Sequence, residues 1–110
     1  MENDVLKLLR GLGVGKIYRG CRAVVIFVEL ASDDEDRLLN IVETYKEIAT
    51  RTGTTWTAVE RNIRTVVNRA WETNSQLLIE IAGYPMQIPP TASEFLEIIY
   101  NHSIRHGVTK

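Results

Sequence analysis

The 110-residue chain is 45% hydrophobic and 25% charged, with a net charge of −1. These proportions suit one soluble domain that buries a single core without staples, and they argue against a strongly basic nucleic-acid binder. Cys21 stands alone and can form no internal disulfide, Met1–Asp4 is too acidic for a signal peptide, and the apolar run at 23–31 is too short to span a bilayer; a reducing cytoplasm is the expected setting.

The predicted elements are all helical. Asp4 to Leu12 reads as a first helix, with Val5, Leu8, Leu9 and Leu12 on one face and Gly11, Gly13 and Gly15 ending it. Lys16 to Ala31 reads as a second helix, apolar on most sides from Ala23 to Val28 and so expected at the centre of the core. Ser32-Asp33-Asp34 terminates it and offers caps to the next helix.

A pair of helices follows. Leu38, Leu39, Ile41, Val42, Tyr45, Ile48 and Ala49 recur at helical spacing, and Gly53 suits the left-handed position just past a helix. Thr54, Thr55 and Thr57 can each cap the partner helix, and Thr57 with Glu60 fits a capping box. Val59, Ile63, Val66, Val67, Ala70 and Trp71 form its apolar stripe, so Ile63 and Trp71 are predicted to be structural. Glu60, Arg61, Arg64, Thr65 and Asn68 fall on its other faces. Helix, tight turn and second helix are the layout of a helix-turn-helix, whose second helix enters the DNA major groove.

Thr73-Asn74-Ser75 closes this helix and caps a short one, Gln76 to Ala82. Gly83 to Pro90 is expected to be irregular, because Pro85, Pro89 and Pro90 lack amide donors. Thr91 to Glu94 is a capping box opening a last helix that runs to about His106, buried through Phe95, Ile98, Ile99 and His102. The expected fold is a compact all-α bundle of about six helices, one domain over 1–110.

Charge is unevenly spread. Asp33 to Glu43 holds five acidic residues and one Arg, a balance of −4. Lys46 to Arg69 holds five basic residues against Glu47 and Glu60, a balance of +3 on the helix pair. Arg61 and Arg64, three apart and about a turn into the second helix, are the candidate guanine readers, since Arg can bond both O6 and N7. Glu60 would accept from a cytosine amine or orient an arginine. Arg51, before the turn, and Arg69, farther along, would meet phosphates or solvent. The same arginines could instead pair with Glu60 or Glu47 on a solvated surface.

Several segments together resemble a known family. LGVGKIYRG, YKEIATRTGTTWTAVERNIR, Ala70-Trp71 and GYPMQIPPTASEF are similar to the C-terminal effector domain of the stage-zero sporulation regulator, the master response regulator of endospore-forming bacteria. The resemblance covers nearly the whole chain. It implies six helices around a helix-turn-helix, binding to duplex promoter DNA, and contact with an RNA polymerase sigma subunit; a homodimer on DNA is a further expectation, and neither a membrane partner nor a cofactor is expected. The family's base-reading positions fall on Glu60, Arg61 and Arg64; Thr55, Thr57, Thr65, Asn68 and Arg51 complete the candidate DNA-contacting set. The chain departs from the family pattern at Thr65, usually His, at Ala58, often basic, and at Trp56, usually small. Family regulators also carry a receiver domain. Asp33, Asp34 and Asp36 do not replace it, because a receiver gathers its acidic pocket on a parallel α/β fold. The expectation is an effector domain, either excised from a longer regulator or standing alone.

Other constellations point to structure rather than chemistry. His102 and His106 have two-His metal spacing but no evident third ligand. Cys21 lies beside Arg19 and Arg22, which could lower its pKa, but a packed thiol is the favoured reading. Glu94 and Glu97 read as helix N-terminal charges, and GLGVG lacks the preceding strand of a phosphate loop. No enzyme is expected. Two functions fit: a sequence-specific transcription regulator, and a protein-interaction module of the same fold that has lost DNA binding.

Overall fold

The computed structural model describes residues 2–105, with side chains from residue 4 onward. Five α-helices follow one another: α1 (Glu2–Gly11), α2 (Arg19–Asp33), α3 (Ile41–Thr52), α4 (Trp56–Ala82) and α5 (Ala92–Arg105), with a short 3-10 turn at Glu35–Leu38. No described helix is long and apolar enough to cross a membrane.

The apolar run predicted to be central is central. α2 buries Cys21, Ala23 through Val28, Leu30 and Ala31, and packs against all four other helices. It begins three residues later than its apolar pattern suggests, with Tyr18 as N-cap and without a side-chain cap. Phe27 of α2 and Phe95 of α5 are the largest fully buried side chains.

Close approach decides where α2 crosses α4. A Cβ on Gly20 would lie 2.2 Å from the Asn62 carbonyl oxygen and 2.6 Å from a Val66 methyl. Only glycine lets the two backbones meet there. The start of α2 is thereby fixed against the first half of α4.

The apolar pattern before α3 misled. Leu38 belongs to the 3-10 turn, Leu39 is 83% exposed, and Val42 is exposed too. The cause is local polar bonding. The Asp34 carboxylate accepts from the Asp36 amide at 3.0 Å and the Asn40 side-chain amide donates to the Asp36 carbonyl, so the chain makes a separate turn before α3 starts.

α4 runs through the predicted break as one 27-residue element, but with a kink at Asn74, whose φ/ψ of −156°/65° is not helical. Asn74 Oδ1 accepts from the Leu77 amide at 3.1 Å, so a cap does restart the helix there, and the kink divides α4 into the two predicted pieces. Asn74 Nδ2 also donates to the Gly11 carbonyl at 3.2 Å, tying the end of α1 to α4. Asn74→Ala removes both bonds and should cost about 1–2 kcal/mol. A denaturant midpoint unchanged from the parent would contradict that.

Trp71 is half-buried at the edge of the core rather than inside it, whereas Ile63 is fully buried. The α5 capping box forms in full: Thr91 Oγ1 accepts from the Glu94 amide at 3.2 Å, and Glu94 Oε1 accepts from the Thr91 amide at 2.9 Å. Tyr100 of α5 donates to Glu35 at 2.8 Å; burial first, then this bond, pushes the phenol up to about 12.

Candidate nucleic-acid interface

α3, a three-residue connection and α4 make the helix-turn-helix order. Gly53 takes a φ of 70°, left-handed, and its amide bonds the Ala49 carbonyl, as does that of Thr54 at 3.0 Å. The N-cap of α4 is Thr55, whose hydroxyl accepts from the Ala58 amide at 3.2 Å. Thr57 is not the cap: its hydroxyl lies 3.2 Å from that of Thr55. The Thr57–Glu60 capping box therefore does not form. With Thr55 in the capping position, Glu60 turns along the helix to Arg64.

The first half of α4 is cleanly two-sided. Val59, Ile63, Val66, Val67 and Ala70 are buried, while Thr57, Arg61, Arg64, Thr65 and Asn68 are exposed. Glu60, half-buried at the boundary, accepts from Arg64 at 2.8 Å. Tyr45 of α3 lies buried beneath the pair; burial first, then the Glu60 charge, raises its phenol to about 12, with Arg64 opposing. The Thr65 hydroxyl donates back to the Arg61 carbonyl at 3.1 Å, which leaves its lone pairs outward. Arg61 has no ion-pair partner among the described residues.

The arginines around this face divide by role. Arg51 donates to Glu47 at 2.9 Å, and Glu47 is shared with Arg37. The Arg37 hydrogen bond is the largest influence holding the Glu47 carboxyl below its ordinary range. Arg69 is exposed, and its Nε donates to the Gly13 carbonyl at 2.9 Å, which fastens the loop after α1 to α4.

Beside the turn lies a basic group that the balance over the helix pair alone does not reveal. Lys16, Arg19 and Arg22 line a cleft with Arg51, Thr54 and Asn62. The signal was present: residues 5–28 hold five basic side chains (Lys7, Arg10, Lys16, Arg19 and Arg22) and no acidic one.

The remaining constellations fall to structural roles. Burial raises the Cys21 thiol, opposed by Lys16 and Arg10, so the thiol is packed rather than activated by Arg19 and Arg22. Glu94 closes a capping box. His102 is half-buried, and His106 lies outside the described residues. Among the described residues no three His, Cys, Asp or Glu side chains are grouped to hold a metal ion.

No curated protein sequence matches the chain. A family model does, over residues 5–103: it is described as the C-terminal part of the sporulation initiation factor Spo0A, and its span takes in α2, the α3–α4 pair and most of α5. With nearly the whole chain matched and an all-helical fold around the α3–α4 pair, this protein belongs to the Spo0A C-terminal family, the DNA-binding effector domains of sporulation regulators.

Proposed function

We propose that the chain is a sequence-specific regulator of transcription, and that the exposed face of α4 reads base edges in the major groove. The observation that carries this reading is the two-sided first half of α4, which presents Thr57, Arg61, Arg64, Thr65 and Asn68 on the face opposite its buried stripe. Arg61, exposed and without an ion pair, is the principal guanine reader, with Arg64 beside it. Glu60 orients Arg64 through their ion pair. Thr55 and Thr57, at the start of α4, and Arg51, at the end of α3, fit backbone phosphates, which helix N-termini and cations favour. Contact with an RNA polymerase sigma subunit, pairing of two copies on DNA and a cytoplasmic setting complete this reading.

The alternative, a protein-interaction module without DNA binding, has one observation in its favour. Two of the arginines expected at DNA, Arg51 and Arg64, are already paired with Glu47 and Glu60. Fluorescence anisotropy against duplex DNA at several salt concentrations decides between the two. Binding should weaken with salt at a slope of about −0.9 per phosphate contacted, with roughly three to five contacts from the α3–α4 pair. Sequencing the pool retained from random genomic fragments should return a short motif. Absence of duplex binding even at low salt would leave the interaction module.

A further inference from the structure

We propose that Lys16, Arg19 and Arg22 form a phosphate-binding rail beside the helix-turn-helix, which grips the DNA backbone next to the bases that α4 reads. The proposal rests on the DNA-binding reading above and adds to it a second contact surface, on the start of α2 and the loop before it.

The rail borders two adjoining clefts. One, of about 490 Å³, is lined by Lys16, Arg19, Arg22 and Arg51 together with Thr54 of the turn and Asn62 of α4. The other, of about 500 Å³, shares Lys16, Arg22 and Arg51. The first cleft holds no carboxylate, and the second holds one, Glu29. Four cations thus line clefts whose one lining carboxylate is Glu29, and of the four Arg51 pairs with Glu47.

The state of those cations matters more than their number. Arg37, Lys46, Arg51 and Arg64 all have carboxylate partners. Among the described residues Lys16, Arg19 and Arg22 have none, and all three are exposed. Like charges gathered without counter-charges repel one another, and an approaching anion relieves that repulsion. Arg19 and Arg22, three apart on α2, share a face, and Lys16, in the loop just before the helix, lines the same cleft; a group spread out in this way suits a row of phosphates better than a single small anion.

Position identifies that row. Gly20, between Arg19 and Arg22, lies with its Cα against the Asn62 backbone, so both arginines are held at a set distance from α4. Thr54 and Asn62 lie in the same cleft as the cations. A duplex seated on the exposed face of α4 brings its backbone past this edge. Phosphate contacts of this kind position a protein on DNA and carry no sequence information.

The test compares the parent with the triple variant Lys16→Gln/Arg19→Gln/Arg22→Gln on a preferred and a scrambled duplex. All three side chains are exposed, so the variant should keep the parent's circular dichroism and melting midpoint; Arg22→Gln alone provides a milder second variant. The expected result is a salt slope shallower by about 0.9 for each phosphate that is no longer neutralised, two to three in all, with affinity for both duplexes falling by the same factor. Preference for the specific site should be unchanged. If the parent binds and the triple variant shows the same slope and affinity, the rail is wrong while the α4 reading stands. If the variant loses the preferred duplex alone, these residues read bases and the phosphate assignment is overturned. If the parent binds no duplex, the DNA reading fails and the rail fails with it.

Discussion

Gly20→Ala is expected to lower the melting midpoint by about 10 °C or more, with a stability loss of about 3 kcal/mol, the upper part of the usual overpacking range. The added methyl would stand 2.2 Å from the Asn62 carbonyl oxygen and 2.8 Å from its carbon. Those atoms are helix backbone and cannot rotate aside as a flexible side chain would. Either α2 lifts from α4 or α4 bends, and α2 is the helix that every other helix packs on. Packed interiors tolerate such displacement poorly. Gly15→Ala is the matched control, because a Cβ there meets nothing within 4 Å. Thermal unfolding followed by circular dichroism should separate the two variants. Equal midpoints would mean that the helices do not cross so closely in solution.

Arg61→Ala should cost about 1–3 kcal/mol on the preferred duplex and relax preference at one base pair. Arg64→Ala should act in the same direction but less strongly, because Arg64 shares its charge with Glu60 at 2.8 Å. The magnitudes decide whether that ion pair blocks base reading. An exposed pair four residues apart on a helix contributes about 0.3–0.5 kcal/mol, less than a bidentate guanine contact. On the proposed reading, a guanine contact would therefore outweigh the pair and draw Arg64 away from Glu60. The comparison is between specific and scrambled duplexes. Should Arg61→Ala weaken both by the same factor, Arg61 contacts the backbone and the specificity assignment moves elsewhere.

Local physics was legible in the sequence and long-range geometry was not. Gly53, the Thr91–Glu94 capping box and the cap at Asn74 depend on residues within four positions of one another, and each was found where expected. The central place of α2 followed from its unbroken apolar run. Leu38 and Leu39 continue the apolar spacing of α3 backwards, but side-chain bonds to the backbone between Asp34 and Asn40 make a separate turn there. The cap of α4 was one of three threonines, and spacing alone favoured Thr57 as readily as Thr55. The bond from Arg69 to the Gly13 carbonyl, 56 residues away in sequence, leaves no local signal. The same limit hid the cleft. Lys16, Arg19 and Arg22 are plainly basic, but only the crossing at Gly20 brings them beside the turn.

The division of α4 into a buried stripe and an exposed face has an evolutionary consequence. Val59, Ile63, Val66, Val67 and Ala70 hold the helix on the core, and none of the exposed residues Thr57, Arg61, Arg64, Thr65 or Asn68 takes part. Substitutions that retarget a protein are usually limited by the stability they remove, since natural domains sit just above the threshold for folding. If the exposed face reads DNA as proposed, the two requirements occupy different sides of one helix. Lineages can exchange Thr65 or Arg64 for other side chains at little cost to the fold. Relatives with the same core can thus diverge to different promoters, and a designer can rewrite the exposed face alone.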